Sequence, residues 1–321
     1  RRVADRAPDR EAFVHLRTAA DEEGRRFTYA EAADLTGRIA AALQNAGVKP
    51  DDGVAIISPS IPEMLFAMAA AASVAVALPL NPLLTPAALA SQFAVGRVRA
   101  MIVFGHHPAI ALDRMAAEAA AISGGVHLAV EIDAGHGRSS ALADGPWQTV
   151  GWDEFSARIP ASGTAPVGGD RAAALFHTGG TTGAPKLAEL GLDSLMASLH
   201  SSAIGLGWRE DDRVLCLLPF FHVGGGLIGG LGVCSTGGTL MNASLAGARD
   251  PDVIADLWPI AARLRATVIG MVPPSWSLVA AQPTAAPSPE LRSMLTGATA
   301  MAPDLARRLA RLVGVPMAQC L

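Results

Sequence analysis

Cysteine, tyrosine and charge are all scarce in this chain: three cysteines and one tyrosine in 321 residues, with 17% of the residues charged. Cys216, Cys234 and Cys320 lie far apart with no CxxC spacing, which argues against a disulfide framework or a cysteine-based zinc site. The 25 Lys and Arg are scattered and outnumbered by 29 Asp and Glu, for a net charge of -4, so a nucleic-acid partner has no electrostatic footprint. No signal-peptide pattern is visible, and a reducing, cytoplasmic setting is expected.

Half of the residues are hydrophobic, enough for a large core and more than one layered unit. One uncharged run, Met64 to Leu84, is about long enough to cross a bilayer. Its first half is Ala/Met-rich like a buried helix, its second half (Val74 to Leu78) is β-branched like a strand, and Pro79 and Pro82 prevent a helix from continuing past it. A buried helix followed by a central strand is therefore expected, not a membrane span. A second uncharged stretch, Val214 to Ala248, is interrupted by Pro219, His222 and many glycines, which also suits a soluble fold better than lipid.

A helix is predicted from Tyr29 to Ala46 by the spacing of Leu35, Ile39 and Leu43 and by Gly47 after it. Short apolar strands then alternate with helical patterns. Strands are expected at 54–57, 74–78, 100–104 and 126–130, with helices near 61–72, 85–95 and 108–122. After an irregular or hairpin-bearing connector over 133–170, strands are expected at 172–176, 213–218, 267–272 and 291–295. Helices accompany them near 192–204, 222–233, 251–264 and 303–312. The rhythm implies an α/β fold of two successive subdomains, residues 1–170 and 171–321, each with a mostly parallel sheet covered by helices. No short-period sequence repeat is visible.

The strand at 172–176 runs into His177-Thr178-Gly179-Gly180-Thr181-Thr182-Gly183-Ala184-Pro185-Lys186. Three glycines let main-chain N–H groups approach a polyphosphate, Thr178, Thr181 and Thr182 add hydroxyls, and Lys186 adds a mobile positive charge. The string is not the NTPase P-loop, because Pro185 precedes the lysine and Leu187 stands where that motif needs Ser or Thr. A solvated Gly/Thr turn is the plain alternative.

The full string resembles the Thr-[Ser/Gly]-Gly-Thr-Thr-Gly-x-Pro-Lys signature of the adenylate-forming superfamily, which includes acyl-CoA synthetases, luciferases and peptide-synthetase adenylation domains. Further landmarks come in the same order. Pro219-Phe220-Phe221-His222-Val223-Gly224-Gly225 is similar to the segment that lines the carboxylate pocket in acyl-CoA ligases, and Leu295-Thr296-Gly297-Ala298-Thr299 to the segment passing adenine and the acyl group. Phe27-Thr28-Tyr29 and Pro79-Leu80-Asn81-Pro82 match early structural landmarks. The resemblance extends from about Pro8 to Leu321.

The resemblance implies the large N-terminal domain of an AMP-forming acid–thiol ligase, with ATP, magnesium and CoA as cofactors or co-substrates and a fatty, aryl or other carboxylic acid as substrate. It implies nucleotide contacts from Thr178, Gly179, Gly180, Thr181, Thr182, Gly183, Lys186, Gly297, Ala298, Thr299, Gln319, Cys320 and Leu321. Lys186, Thr181 and His222 are its catalytic group, while His222, Val223, Gly224, Gly225, Thr296 and Gly297 line its acid site. A homodimer is possible on this reading, and no protein metal ligand is named.

There are departures from the pattern: Leu187 replaces a glycine, and Gly191-Leu192 stands where a Thr-His pair is usual. The chain stops at Gln319-Cys320-Leu321, at the start of the segment that carries the aromatic adenine contact and the magnesium-binding Glu, and the small C-terminal domain is absent from these residues. The intact protein is expected to continue further. Two rival readings stand beside the ligase: a catalytically impaired nucleotide- or acyl-binding homologue, and a membrane-associated lipid-handling protein.

Overall fold

The computed structural model describes residues 2–157, 171–178, 186–282 and 288–320. In chain order the early strands are β1 (Glu11–His15), β2 (Arg25–Thr28), β3 (Gly53–Ile57), β4 (Val76–Pro79) and β5 (Val98–Phe104). They are followed by β6 (Leu128–Ile132), β7 (Gln148–Gly151), β8 (Ala172–His177), β9 (Leu187–Gly191) and β10 (Arg213–Cys216). The last are β11 (Thr239–Asn242), β12 (Val268–Gly270), β13 (Ser293–Gly297) and β14 (Met317–Cys320).

These strands form two seven-stranded sheets, ordered β14-β13-β12-β10-β11-β1-β2 and β7-β6-β5-β3-β4-β8-β9. All neighbours are parallel except the terminal pairs β1–β2 and β8–β9. The chain divides into two compact units, one of Arg1–Glu31, Ser60–Pro62 and Ala197–Leu321, the other of Ala32–Pro59 and Glu63–Met196. The units are thus interleaved in sequence, and a division at residue 170 does not coincide with them. The hairpin β8–β9, read as the start of the second subdomain, completes the sheet of the unit before it. The hairpin β1–β2 joins the sheet that contains β10 to β14. The two sheets nevertheless share one order: six parallel strands in a doubly wound arrangement, the last of them carrying an antiparallel edge strand as its hairpin partner.

In the unit holding β3 to β9, the Met64-to-Leu84 run is the helix Pro62–Val74 followed by β4, as its composition implies. Strand β3 (Gly-Val-Ala-Ile-Ile) is buried throughout, because a central parallel strand covered on both faces needs continuous apolar text. The stretch after Asp133 is more regular than expected. It holds a short helix, Ser140–Ala143, then β7 pairing parallel to β6, then the helix Trp152–Ala157. Ser139 organises it: its N–H donates to Glu131 Oε1 at 2.6 Å, and its hydroxyl donates to Asp113 Oδ2 at 2.8 Å while accepting the Leu142 N–H. No helix among the described residues is long and apolar enough to cross a membrane.

In the other unit, Trp276, Met294, Leu309 and Val313 pack with Leu257, Ile260 and Ile269 beneath one face of the sheet. Beside this core, Asp212 has a side chain only 1% exposed and accepts hydrogen bonds from Arg292, from Thr267 Oγ1 at 2.8 Å and from the Arg209 N–H at 2.7 Å. Burial pushes the Asp212 carboxyl up, but the Arg292, Thr267 and Arg209 donors outweigh it and hold its pKa below the usual carboxylate value. The cluster ties together the starts of β10, β12 and β13. Arg292→Ala leaves that carboxylate buried with fewer donors, and the expected cost is about 2 kcal/mol in urea unfolding at pH 7. Arg292→Lys, which lacks the planar fork, recovers only part of it. An unchanged urea midpoint in both variants would remove the pair from the stabilising contacts.

Candidate functional site

The two ends of the motif His177 to Lys186 lie on an antiparallel strand pair. β8 and β9 pair with His177 opposite Leu187, and one step further the Thr178 N–H donates to the Lys186 carbonyl at 2.8 Å. The Thr178 hydroxyl reaches the same carbonyl at 3.3 Å. Residues 179–185, which include Gly179, Gly180, Thr181, Thr182 and Gly183, lie outside the described residues. What is fixed is the neck: the two ends of the string are clasped at the carboxyl end of β8, with Thr178 and Lys186 both exposed. Leu187, the departure that follows the lysine, is the first residue of β9. A larger side chain there is accommodated because the strand leaves it half-buried.

In the other unit, the carboxyl ends of β10, β12, β13 and β14 share one edge, because the four strands are parallel. The chain order reverses between β10 and β12, which is where open α/β sheets place a ligand crevice. His222 lies on the connection after β10. Its N–H donates to the Pro219 carbonyl at 3.2 Å, and its own carbonyl accepts the N–H groups of Gly225 and Gly226 at 3.1 and 2.7 Å. The Gly224 N–H donates to His222 Nδ1 at 3.1 Å. Burial pulls the half-buried imidazole below its ordinary pKa, so at pH 7 the ring is neutral. With Nδ1 accepting, the ring proton sits on Nε2.

The expected helix after His222 begins as a π-helix, Gly224–Leu231, and only then becomes the α-helix Gly232–Thr236. Such insertions are uncommon and frequent at functional sites. The glycines in it do different jobs. A Cβ on Gly225 lands 2.2 Å from the Pro219 carbonyl, and one on Gly229 lands 2.9 Å from Cys216 Sγ, so both are demanded by packing. A Cβ on Gly224 meets only His222 Nδ1 at 3.4 Å and more distant atoms, so this is the glycine that leaves room beside the imidazole. Val223 precedes the π-helix in ordinary right-handed conformation.

Two segments that are distant in sequence come together at the same edge. Thr296 is paired with Gln319 and Gly297 with Cys320 across β13 and β14. A Cβ on Gly297 lands 2.6 Å from the Cys320 carbonyl, so only glycine permits this approach. Ala298 follows with φ of 70°, a conformation rarely taken by a residue with a side chain, and such strain concentrates at functional sites. Ala298 and Thr299 are exposed, whereas Thr296 is fully buried and its hydroxyl has no hydrogen-bond partner among the described residues. Leu321 lies outside the described residues. Sequence reasoning missed both the strain at Ala298 and the π-helix, since nothing in local composition marks either.

A model of AMP-binding enzymes, described as "AMP-binding enzyme", matches residues 1–321. The chain belongs to that family. Among curated relatives of this AMP-binding enzyme, a feruloyl-CoA synthase of an Amycolatopsis species is 30% identical over 296 residues, covering 91% of this chain and 53% of that protein. The 4-coumarate–CoA ligase 3 of Arabidopsis thaliana is 26% identical over 299 residues, covering 90% of this chain and 49% of that one. The chain thus spans about half the length of these curated relatives. Among solved structures, the anthranilate CoA ligase AuaEII in complex with anthranoyl-AMP aligns with a TM-score of 0.79 at 19% identity, over 99% of this chain and 59% of that one. ATP-bound MatB from Rhodopseudomonas palustris aligns at 0.75 and 24%, over 100% and 59%. At these identities the structural likeness speaks for the fold: two sheets of mostly parallel strands flanked by helices, as in the large N-terminal domain of adenylate-forming enzymes. Among the described residues of this AMP-binding enzyme, no group of three or more His, Cys, Asp or Glu side chains is placed to hold a metal ion.

Proposed function

We propose that this chain carries the nucleotide- and acid-binding part of an acyl- or aryl-CoA ligase, which activates a carboxylic acid as its acyl-adenylate and then transfers the acyl group to the thiol of CoA. The observation that carries the reading is the clasped neck. Thr178 and Lys186 are hydrogen-bonded to one another at the carboxyl end of β8, so the lysine stands at one end of a segment rich in glycine and threonine. In the first step a carboxylate oxygen attacks the α-phosphorus of ATP, an acyl–phosphate bond forms and the bond to pyrophosphate breaks. Negative charge accumulates on the leaving group, and Lys186 with the main-chain N–H groups of the loop neutralises it. His222, neutral with its proton on Nε2, contributes to the acid site a hydrogen-bond donor without a formal charge.

The names of the relatives favour an aromatic or cyclic acid over a straight-chain fatty acid, and the room beside His222 at Gly224 is compatible with that. Magnesium is expected as the companion of the ATP phosphates. A reducing compartment suits the three free cysteines. The test is a panel of aryl, cyclic and aliphatic acids, scored by acid-dependent ATP–pyrophosphate exchange and by thioester formation with and without CoA. The reading predicts exchange with a subset of aryl or cyclic acids and a thioester only when CoA is present. No acid-dependent exchange across the panel would overturn it.

A further inference from the structure

The hairpin β8–β9 holds both ends of the phosphate loop, yet its attachment to the sheet is short. On the β4 side the ladder has one register pair among the described residues, Ala77 with Ala174, and on the other side β8 pairs with its own hairpin partner. The base of the hairpin is stitched down by a side chain instead. Arg171, the residue before β8, donates from Nη1 to the Ala75 carbonyl at 2.6 Å and to the Ala172 carbonyl at 2.8 Å, and from Nη2 to the Ala72 carbonyl at 3.0 Å. Ala72 lies in the last turn of the helix Pro62–Val74. Its carbonyl has no amide four residues on to receive, because the Val76 N–H donates to Asp52. The guanidinium therefore satisfies a helix-end acceptor, sits where the helix dipole favours positive charge, and fastens that helix to the first residue of β8.

We infer that Arg171 is a positioning residue for the phosphate loop: by anchoring the root of β8 to the end of the helix Pro62–Val74, it sets where Thr178 and Lys186 emerge at the strand's other end. The span is about 20 Å along an extended strand, which is stiff enough to carry a displacement from root to tip. With a longer bond to the Pro50 carbonyl at 3.5 Å, the guanidinium serves four acceptors at different angles, which requires a planar fork, so lysine replaces the function only in part. The inference rests on the phosphate-binding reading of the loop for its effect on ATP, but not for its effect on the hairpin.

Two readouts separate the possibilities. In Arg171→Met, amide hydrogen exchange across the β8–β9 ladder, including the Thr178 N–H, is expected to speed up, and KM for ATP in pyrophosphate exchange to rise about tenfold, in keeping with the sensitivity of such sites to small misplacements. Arg171→Lys should fall between wild type and Arg171→Met, and it carries the test should the methionine variant not fold. Thr85→Ala removes the hydroxyl that caps the helix Pro86–Val95 in the same unit and serves as the control, lowering Tm while leaving KM and the β8–β9 exchange unchanged. Unchanged ladder exchange in the Arg171 variants, or a fall in Tm with KM for ATP unaltered, would overturn the inference. If the wild-type protein shows no pyrophosphate exchange at all, the proposed function fails, and the hydrogen-exchange comparison alone still decides whether Arg171 holds the hairpin.

Discussion

Replacing Lys186 by alanine is expected to lower acid-dependent ATP–pyrophosphate exchange by about 10²–10³, the usual consequence of removing one well-placed donor from a site that stabilises developing negative charge. The local structure makes the experiment clean. Lys186 is exposed, and its contribution to the neck is its main-chain carbonyl, which accepts from Thr178 whatever the side chain. Alanine therefore removes the charge and leaves the clasp, so Tm should stay within about 1 °C of wild type, as is usual for a surface change away from packing. Lys186→Arg keeps the charge but replaces a compact ammonium on a flexible stem with a planar fork, and activity between the two is expected. Exchange within about threefold of wild type in Lys186→Ala would remove the lysine from the phosphate site, since the loss expected of a missing charge donor is far larger.

Much of the architecture was legible because its strongest signals are local. β3 and the Ala100–Phe104 part of β5 are apolar runs that suit a covered parallel sheet, and the helix Pro62–Val74 was separable from β4 by the change from Ala/Met to β-branched text. What escaped is short or non-local. β14 reads Met-Ala-Gln-Cys and β2 reads Arg-Arg-Phe-Thr, neither with an alternation long enough to detect. β1 pairs with β11, whose partner residues lie more than 200 positions away, and β8 joins a sheet built from earlier strands. Such pairings leave no mark in a local window, which is why the chain reads as two successive units and folds as two interleaved ones. The same distinction holds at the site. The Gly/Thr string and His222 announce themselves by composition and spacing. The tautomer of His222 depends on where the Gly224 N–H points, and the closeness of Gly297 to Cys320 depends on the β13–β14 register.

Acidification should reveal a weak point in the unit that holds β1. His15 ends β1, is 2% exposed, and lies opposite Arg25 on β2 and Asn242 on β11. Its Nδ1 has no hydrogen-bond partner among the described residues. Burial, reinforced by the charges of Arg25 and Arg17 and opposed by Asp21, pulls its pKa down to about 4. An unfolded histidine titrates near 6.5, so between those two values the unfolded chain binds the proton and the folded one does not. Stability from this group is complete above pH 6.5 and is lost as the pH falls toward 4, by about 3 kcal/mol over the window. Asp21 titrates below it, because the Arg17 and Gly24 N–H groups hold its carboxylate under the ordinary value. His15→Leu keeps an apolar body in the same place and has no proton to take up. Urea unfolding at pH 7.5 and pH 4.5 should show the two proteins close together at the higher pH, with the wild type losing between about 2 and 3 kcal/mol more than the variant at the lower one. Equal losses would mean that the hairpin β1–β2 tolerates a charged imidazole, which its burial between two strands makes hard to reconcile with a single native packing.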